Sequence, residues 1–259
     1  MVRTVGKVAK ILNLFSVEKP EWGVSELARE LGMPKSTAHE LAQSMAEQRF
    51  LCRTDKGRYQ LGWRLFELSQ TLLDTTHIRI EARYILEDLA RRYGESVHLA
   101  ALDGVRAVYM EKLPRVAKSR KFPSPKGALR PAHCSGVGKV LLANQEWDHL
   151  ASLLEAAGLQ ALTPNTITDM NELAEELEVI RKRGYAFDNE ETSLGLCCVA
   201  APIYGRQDQV VAAASICVPK DRFEHGKQSY TAAIVEAAHL ITRGAARRME
   251  AFPSYSIQG

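Results

Sequence analysis

Residues 134–139, with the sequence Cys-Ser-Gly-Val-Gly-Lys, place a thiol, a hydroxyl, two glycines and a cation within one short segment. We predict that this segment passes from a loop into a helix. Backbone N–H groups at a helix start, together with the helix dipole, favour a bound anion. A glycine at position 136 would also let a ligand approach the backbone closely. The pattern therefore predicts an anion-binding loop formed by Cys134, Ser135, Gly136 and Val137.

Two catalytic motifs are excluded at this loop. A phosphate-binding P-loop needs a glycine where His133 stands and Ser or Thr where Val140 stands. A nucleophile elbow needs a glycine two residues before Ser135, which is again the position of His133. An enzyme that acts on a small acid, with Cys134 or Cys198 as its nucleophile, stays an alternative. His133 is the only evident base for such chemistry.

The cysteines of the chain are odd in number and have no spacing typical of a disulfide framework, so disulfides are not expected. They are Cys52, Cys134, Cys197, Cys198 and Cys217. A zinc site from Cys134, Cys198, Cys217 and His133 is an alternative, but no C-x-x-C pair supports it. A thiol sensor is another, and it would need an exposed cysteine of low pKa. We expect neither a metal nor a cofactor.

Two short helices are predicted in tandem near the N-terminus, between residues 24 and 45. Apolar residues recur at helical spacing in both. Gly32 ends the first helix as a left-handed stop residue, and Pro34 opens the second. The apolar positions are Val24, Leu27, Ala28 and Leu31 in the first helix and Ala38, Leu41, Ala42 and Met45 in the second. One face of the second helix is therefore left polar.

This polar face suits the recognition helix of a helix-turn-helix, whose N-terminal residues reach base edges in the major groove. Helix spacing alone is weak support, because any antiparallel helix pair can produce it. The predicted DNA-contacting residues of the two helices are Ser25, Lys35, Ser36, Thr37, His39, Glu40 and Gln43.

A hairpin is predicted directly after the two helices, with strands at 50–53 and 58–61. Its tip carries Arg53, Lys56 and Arg58, which we predict to lie on DNA phosphates. Residues 1–62 contain ten Lys and Arg against seven Asp and Glu, whereas the rest of the chain contains 24 of each. The whole positive excess thus lies in the segment predicted to bind double-stranded DNA.

Three segments resemble the IclR family of bacterial transcriptional regulators. They are SELARELGMPKSTAHEL at 25–41, PAHCSGVGKVLLA at 131–143 and RGYAFDNEETSLGLCCVAAPI at 183–203. The resemblance implies a regulator whose operator binding responds to a small metabolite, expected to be an organic acid. One departure is Glu40, where the family often has Arg; Glu accepts a hydrogen bond from cytosine N4 but repels phosphate.

The resemblance also implies the residues that bind the effector. Carried over position by position, they are Phe122, Arg130, Cys134, Ser135, Gly136, Val137, Asp188, Leu196, Cys198, Ser215 and Cys217. Leu196 and Cys198 can equally be core residues of a strand. A carboxylate such as Asp188 is unfavourable beside a bound anion unless it is protonated, paired or bonded to a ligand hydroxyl.

The predicted fold is α+β, with three segments. Residues 1–62 form a winged helix-turn-helix, residues 63–77 a connecting helix, and residues 78–252 an effector domain. The resemblance implies that this domain is an antiparallel sheet of the GAF and PAS type, flanked by helices. In detail, we expect an apolar stripe of Val5, Val8, Ala9, Leu12 and Phe15 on the first helix, a helix started by Thr168, and a last helix from Gln228.

Composition places the protein among ordinary soluble chains, with 46% apolar and 25% charged residues. The N-terminus has no apolar signal core, and no apolar run approaches the roughly 20 residues that span a bilayer. We therefore expect a cytoplasmic protein without a membrane partner. One short recognition helix covers few base pairs, so we also expect a dimer or tetramer that reads a palindromic operator. The apolar connecting helix is the expected contact between subunits, although an ordinary packed helix would have the same pattern.

Overall fold

The computed structural model describes residues 3–114, 129–205 and 207–248. The chain divides into two compact units, Met1–Thr75 and Thr76–Gly259. No helix in the described ranges is long and apolar enough to cross a membrane. A separate connecting segment at residues 63–77 stays a prediction.

The first unit is a helical bundle followed by a hairpin and a further helix. Its elements are α1 (Arg3–Leu12), α2 (Val24–Glu30), α3 (Lys35–Glu47), β1 (Leu51–Arg53), β2 (Tyr59–Leu61) and α4 (Trp63–Thr75). Strands β1 and β2 pair antiparallel, with Leu51 opposite Leu61. A winged helix-turn-helix is therefore confirmed.

The break between α2 and α3 follows the predicted turn chemistry. Gly32 has a φ of +60°, the left-handed conformation that favours glycine. The N–H of Met33 donates to Ala28 O at 3.0 Å, which closes the turn. Pro34 is the residue that caps α3 rather than its first helical residue.

The apolar stripe of α1 is shifted from the predicted one. Ile11 is fully buried, and Val8, Leu12 and Phe15 pack against the same core. These four positions have helical spacing, whereas Val5 is exposed. The prediction missed Ile11, and with it the direction of the buried face.

The second unit is a six-stranded sheet with helices on both sides. Its strands lie in the order β5-β4-β3-β8-β7-β6, and each neighbouring pair is antiparallel. The elements are α5 (His77–Tyr93), β3 (Ser96–Asp103), β4 (Arg106–Leu113), β5 (Leu129–Pro131), α6 (Gly136–Ala143), α7 (Trp147–Ala157), α8 (Met170–Arg183), β6 (Ala186–Asn189), β7 (Leu196–Tyr204), β8 (Val210–Pro219) and α9 (Lys220–Arg248). This arrangement confirms the predicted α+β class.

Each face of this sheet has its own core. Consecutive residues of β7 belong to different cores, because successive side chains of a strand point to opposite faces of the sheet. Val199 packs with α5 and α9, and Ala200 packs with α6 and α8. The face towards α6 is the one that carries the predicted ligand residues.

Three details of this unit differ from the predictions. Helix α9 begins at Lys220 rather than Gln228, because Phe223 is buried and holds its first turns to the core. Helix α8 is capped by Asp169 rather than Thr168, and the Asp169 carboxylate accepts from the N–H groups of Asn171 and Glu172. Strand β5 has only three residues at the sheet edge, too short to be recognised by alternation.

Candidate nucleic-acid interface and ligand site

Helix α3 presents its polar side to solvent. Its buried residues are Ala38, Ala42 and Met45, and Leu41 is only partly buried. Of the predicted DNA-contacting residues, Thr37 is partly buried, and those exposed are Ser25, Lys35, Ser36, His39, Glu40 and Gln43. Side chains that bear donors and acceptors are thus left available on one helix face.

The hairpin tip is a tight turn with two exposed cations. The N–H of Gly57 donates to Thr54 O at 2.9 Å, and that of Thr54 donates to Arg58 O at 2.8 Å. Gly57 has a φ of +71°, which this turn requires. Arg53 and Lys56 are exposed there, as a contact with phosphate would need.

Arg58 differs from the other two cations of the predicted tip, because its side chain turns back towards α2. Its Nη2 donates to Glu26 Oε2 at 2.6 Å and to Glu21 O at 3.1 Å. Glu26 also accepts from the N–H of Gly23 at 2.9 Å, before the start of α2. These two hydrogen bonds, the one from Gly23 first, lower the pKa of Glu26. Arg58 therefore links the hairpin to α2 through its ion pair with Glu26.

Ser135 caps the N-terminus of α6, where the loop enters the helix as the pattern predicts. Its backbone is extended, and its Oγ accepts from the N–H of Gly138 at 3.2 Å. A Cβ on Gly138 would lie 2.1 Å from Ala132 O, so no larger residue fits without movement of the backbone. Every residue of α6 is buried, including Lys139.

Gly136 lies where α6 packs closely against the sheet. A Cβ at this position would lie 3.3 Å from Ala200 Cβ and 3.7 Å from the N atom of Asp188. Its missing side chain therefore faces strands β6 and β7 and allows α6 to approach the sheet. Close approach of a ligand to Gly136 from this side is not available.

Strand register places the predicted residues of the sheet on one face. Asp188 pairs with Cys198, which pairs with Cys217. Ser215, two residues before Cys217, shares its face and lies opposite His98. All four predicted residues are buried. Leu196 is partly buried at the start of β7, on the face of Cys198.

The remaining predicted ligand residues are distributed around this face. Val137 belongs to the core between α6 and the sheet. Arg130 is partly buried on β5. Cys134 is fully buried and donates its thiol hydrogen to Pro131 O at 3.3 Å. Phe122 lies outside the described residues.

Lys112 and Tyr109 join this site although the sequence pattern did not indicate them. Register shifts between Leu99 and Ala100, so that Leu99 pairs with Glu111 but Ala100 pairs with Tyr109. The extra residue of this bulge is Met110. Tyr109 and Lys112 therefore share a face despite a spacing of three, which strict alternation would exclude.

Tyr109 and Lys112 form a polar corner beside Ser135. Burial raises the pKa of Tyr109, and a hydrogen bond with Ser135 opposes that shift. Lys112 Nζ lies 4.0 Å from the centroid of the Tyr109 ring. Burial, and then the charge of Arg130, lower the pKa of Lys112 to about 8. In the described part of the chain Lys112 has no carboxylate partner.

Asp188 is buried on β6, and no cation of the described residues forms an ion pair with it. Burial raises its pKa to about 7, against hydrogen bonds that favour the carboxylate. Oδ1 accepts from the N–H of Glu191 at 2.7 Å. Thr192 Oγ1 lies 2.7 Å from Asp188 Oδ2 and 2.9 Å from Cys134 O. One hydroxyl hydrogen serves only one of these, so a protonated Asp188 that donates to Thr192 satisfies both contacts.

A buried ion pair connects α6 to the turn after β6. Lys139 Nζ donates to Glu191 Oε1 at 2.5 Å, and Glu176 Oε1 lies 3.7 Å from the same nitrogen. The side chain of Lys139 is only 2% exposed. Burial of this kind needs pairing, because an isolated ammonium in the interior is very unfavourable. The contacts of Lys139 therefore stabilise the fold, and its charge is already paired within the protein.

The thiol alternatives find little support among the described residues. No group of three or more His, Cys, Asp or Glu there could hold a metal ion. His133 Nε2 lies 3.1 Å from Gln160 O, so this nitrogen already has a hydrogen-bond partner. Burial raises the pKa of Cys134 to about 12, which opposes a nucleophilic thiolate. The hydrogen bond between Cys198 and Cys217 is the largest influence on the pKa of both thiols. It raises the pKa of Cys198, as does burial, and it lowers the pKa of Cys217.

One unit is a winged helix-turn-helix with an exposed polar helix face, and the other is a sheet with buried polar residues on one face. This combination is typical of a ligand-responsive DNA-binding regulator. Family models agree with this class. A model described as IclR helix-turn-helix domain matches residues 4–55. Another, described as the C-terminal part of the bacterial transcriptional regulator IclR, matches residues 70–243. The chain belongs to the IclR family of bacterial transcriptional regulators.

Individual relatives span nearly the whole chain. The regulator KdgR of Escherichia coli (strain K12) is 33% identical over 242 residues, which are 91% of this chain and 92% of that protein. The crystal structure of IclR from Thermotoga maritima is 34% identical, with a TM-score of 0.69, and the match covers 94% of this chain and 98% of that chain. An IclR homologue from Microbacterium hydrocarbonoxydans, complexed with 4-hydroxybenzoate, is 25% identical with a TM-score of 0.78, over 93% and 98% of the two chains.

These findings establish the general function. The protein is a DNA-binding transcriptional regulator with a C-terminal effector-binding domain, through which a small metabolite modulates it. The Escherichia coli (strain K12) relatives KdgR and IclR are a transcriptional regulator and a transcriptional repressor.

Proposed function

We propose that this regulator reads a palindromic operator as a dimer or tetramer in the cytoplasm, and that its effector is a small organic acid. The observation that carries the ligand class is Lys112, a half-buried cation at the enclosed polar face that lacks a carboxylate partner in the described part of the chain. The acid would supply the missing negative charge. Ser135 and Tyr109 would donate to its oxygens.

The chemistry of the ligand site supports a carboxylate over a cation or a neutral sugar. A carboxylate near Lys112 and Arg130 would raise the pKa of Lys112 again, because a nearby anion opposes the effect of burial. A protonated Asp188 would add no repulsion. A relative from Microbacterium hydrocarbonoxydans was crystallised with 4-hydroxybenzoate, which has both a carboxylate and a hydroxyl.

Helix α3 and the hairpin tip support the DNA interface. The proposed base-reading residues are Ser36, Thr37, His39, Glu40 and Gln43, with Ser25 and Lys35 near the backbone. Arg53 and Lys56 would contact phosphates, which position the protein without reading sequence. Arg58 is proposed to act on DNA only indirectly, because Glu21 and Glu26 already bind its guanidinium.

The exposed apolar side chains of α4 support self-association. No residue of this helix is buried, although it is described throughout. Trp63 is 75% exposed and Phe66 is 57% exposed, and their rings contact each other edge to face. Large apolar side chains grouped on one exposed helix are typical of a protein contact. A two-fold dimer would then present two copies of α3 to the two half-sites of an operator.

Salt dependence of DNA binding tests the interface. Lys56→Ala should weaken operator and random DNA equally and reduce the salt slope by about 1, as expected for one lost phosphate contact. His39→Ala should weaken the operator more than random DNA. The matched control is Lys182→Ala, which removes an exposed lysine from α8. Unchanged affinity and slope for Lys56→Ala, measured by fluorescence anisotropy, would reject the proposed wing contact.

Calorimetric titration with a series of small carboxylic acids and their neutral amides tests the ligand class. The acid that binds best should bind at least about tenfold more weakly to Lys112→Met, because a buried charge contact is lost. Ser135→Ala should weaken it by less. If the matching amide binds as well as the acid, or Lys112→Met retains full affinity, the organic-acid proposal is wrong. The DNA-binding assignment would be unaffected by that outcome.

A further inference from the structure

A groove of about 730 Å³ lies on the sheet face that packs against α9. It runs between α9 and strands β6 and β7, and Ala201 of β7 lines it. Because Ala201 and Cys198 point to opposite faces of the sheet, this groove is separate from the ligand site at Ser135. Its volume falls within the range of roughly 300–1,000 Å³ that small-molecule sites occupy.

The groove has a cationic lining. Arg183, Lys227 and His239 line it, and none of the described residues that line it is Asp or Glu. Lys227 Nζ lies 4.0 Å from the centroid of the Phe187 ring. The guanidinium carbon of Arg183 lies 5.2 Å from the same centroid. Two positive charges thus contact one aromatic ring.

Only one of these two charges is neutralised nearby. Arg183 Nη2 donates to Glu176 Oε1 at 3.0 Å, and Arg183 Nε donates to Tyr185 O at 2.6 Å. These bonds hold the guanidinium in place, and it retains further N–H donors. Lys227 has no carboxylate within ion-pair distance in the described part of the chain. A bound anion would therefore be attracted mainly by Lys227, and Arg183 would offer it N–H donors.

Aromatic side chains form the apolar part of the groove. The rings of Tyr185 and Phe187 have centroids 5.4 Å apart and meet edge to face. Val235 and Ala238 of α9 line the opposite side. Flat apolar surface of this kind favours an aromatic ring, which stacks offset or edge to face. The cations beside it favour one negative group on that ring.

We propose that the groove between α9 and strands β6 and β7 is a second ligand site, which binds a small aromatic carboxylate with its ring on Phe187 and its carboxylate between Arg183 and Lys227. The proposal goes beyond effector binding at Ser135, because it uses none of the residues of that site. The protein would then sense two small molecules, one on each face of the same sheet.

Binding of 4-fluorophenylacetate to the full chain, followed by ¹⁹F NMR, tests the proposal. Lys227→Gln should weaken the groove component roughly fivefold, as expected for loss of one exposed charge contact. Ala232→Trp should abolish it, because Ala232 is exposed and lines the groove, where a large ring fills the space. Gln228→Trp is the second filling variant, should the first fail to fold.

Two controls separate this site from others. Lys182→Gln removes an exposed lysine of α8 outside the groove and should leave binding unchanged. Ser135→Ala should alter only the component at the other face. The neutral analogue 4-fluorophenylacetamide should bind much more weakly to the groove.

Four results would overturn the proposal. They are absence of saturable binding at millimolar acid, equal binding of the amide, full affinity in Lys227→Gln, and full affinity in a folded filling variant. A fifth such result would come from sedimentation of the two filling variants, Ala232→Trp and Gln228→Trp. If either one dissociates the assembly, a second copy of the chain occupies the groove, and the ligand site does not exist there.

Discussion

Helices α3 and α6, which we propose to contact DNA and ligand respectively, are buried to opposite degrees. Three residues of α3 are buried, and Lys35 at its start is exposed. In α6 all eight residues are buried, and Lys139 is enclosed with its counter-ion. A DNA-reading helix leaves its polar groups unsatisfied until DNA arrives, whereas a buried helix requires partners for its polar groups within the protein. Substitutions should therefore affect DNA affinity in α3 and stability in α6.

The largest expected effect is at Gly138 of α6. Gly138→Ala places a Cβ 2.1 Å from Ala132 O, and we expect a loss of more than about 4 kcal/mol in the free energy of unfolding. The matched control is Gly6 of α1, where a Cβ would meet nothing within 4 Å. Gly6→Ala should be neutral or stabilise by up to about 1 kcal/mol. Urea denaturation of both variants measures the difference, and a stable Gly138→Ala protein would contradict the packing described for α6.

The second effect is a dependence of stability on pH through Asp188. Its pKa is raised from 3.8 to about 7 in the folded protein, so ionisation disfavours the fold. The contribution of protonated Asp188 is complete below the unfolded pKa and is lost as pH rises through about 7. At full extent it amounts to roughly 4 kcal/mol. Asp188→Asn stays neutral, so its stability relative to wild type should rise between pH 5 and 8; parallel curves would exclude a protonated Asp188.

The third effect compares one lysine of each helix directly. Lys139→Met leaves Glu191 buried without its cation and should destabilise by about 3 kcal/mol. Lys35→Met changes an exposed residue of α3 and should alter stability by less than about 0.5 kcal/mol. The double variant Lys139→Met/Glu191→Leu should recover much of the loss, because neither charge then stays unpaired. If Lys139→Met and Lys35→Met changed the free energy of unfolding equally, the proposed difference between α3 and α6 would be wrong.

The smallest effect separates two cations of the hairpin. Arg58→Ala should lower the stability of the first unit by about 1 kcal/mol, since its bonds to Glu21 and Glu26 are partly exposed. Lys56→Ala should leave stability unchanged and reduce only DNA affinity. Thermal unfolding and anisotropy titration on the same samples measure both quantities. If instead Arg58→Ala reduced only DNA affinity and Lys56→Ala reduced stability, Arg58 would be the residue that contacts DNA and Lys56 the one that stabilises the fold.

Much of this architecture follows from the sequence because its signals are local. The left-handed Gly32, the alternation that places Ser215 and Cys217 on one face, and the start of α6 at Ser135 each depend on a few neighbouring residues. Periodicity could not show the direction of Arg58, which depends on Glu26, 32 residues earlier. Gly136 looked open to ligand for the same reason, since Ala200 lies far along the chain.

The proposed ligand site is less evident from the sequence than the fold. A one-residue bulge at Met110 moves Lys112 to the face of Tyr109, and no residue type marks that bulge in advance. The ion pair of Lys139 is not evident from the sequence either, because its partner Glu191, 2.5 Å away, lies 52 residues further along the chain. Buried polar residues are therefore hard to assign from sequence, because their roles depend on partners distant in the chain.

The exposure of Trp63 has a spectroscopic consequence. The chain contains three tryptophans: Trp22 is buried in the first unit, Trp147 is partly buried in the second, and Trp63 is 75% exposed. An indole in water emits at longer wavelength and is open to collisional quenchers, whereas an enclosed one is protected. Acrylamide quenching of the intrinsic emission thus reports mainly on α4. Self-association through this helix would become visible as lost quenching on concentration, without any attached label.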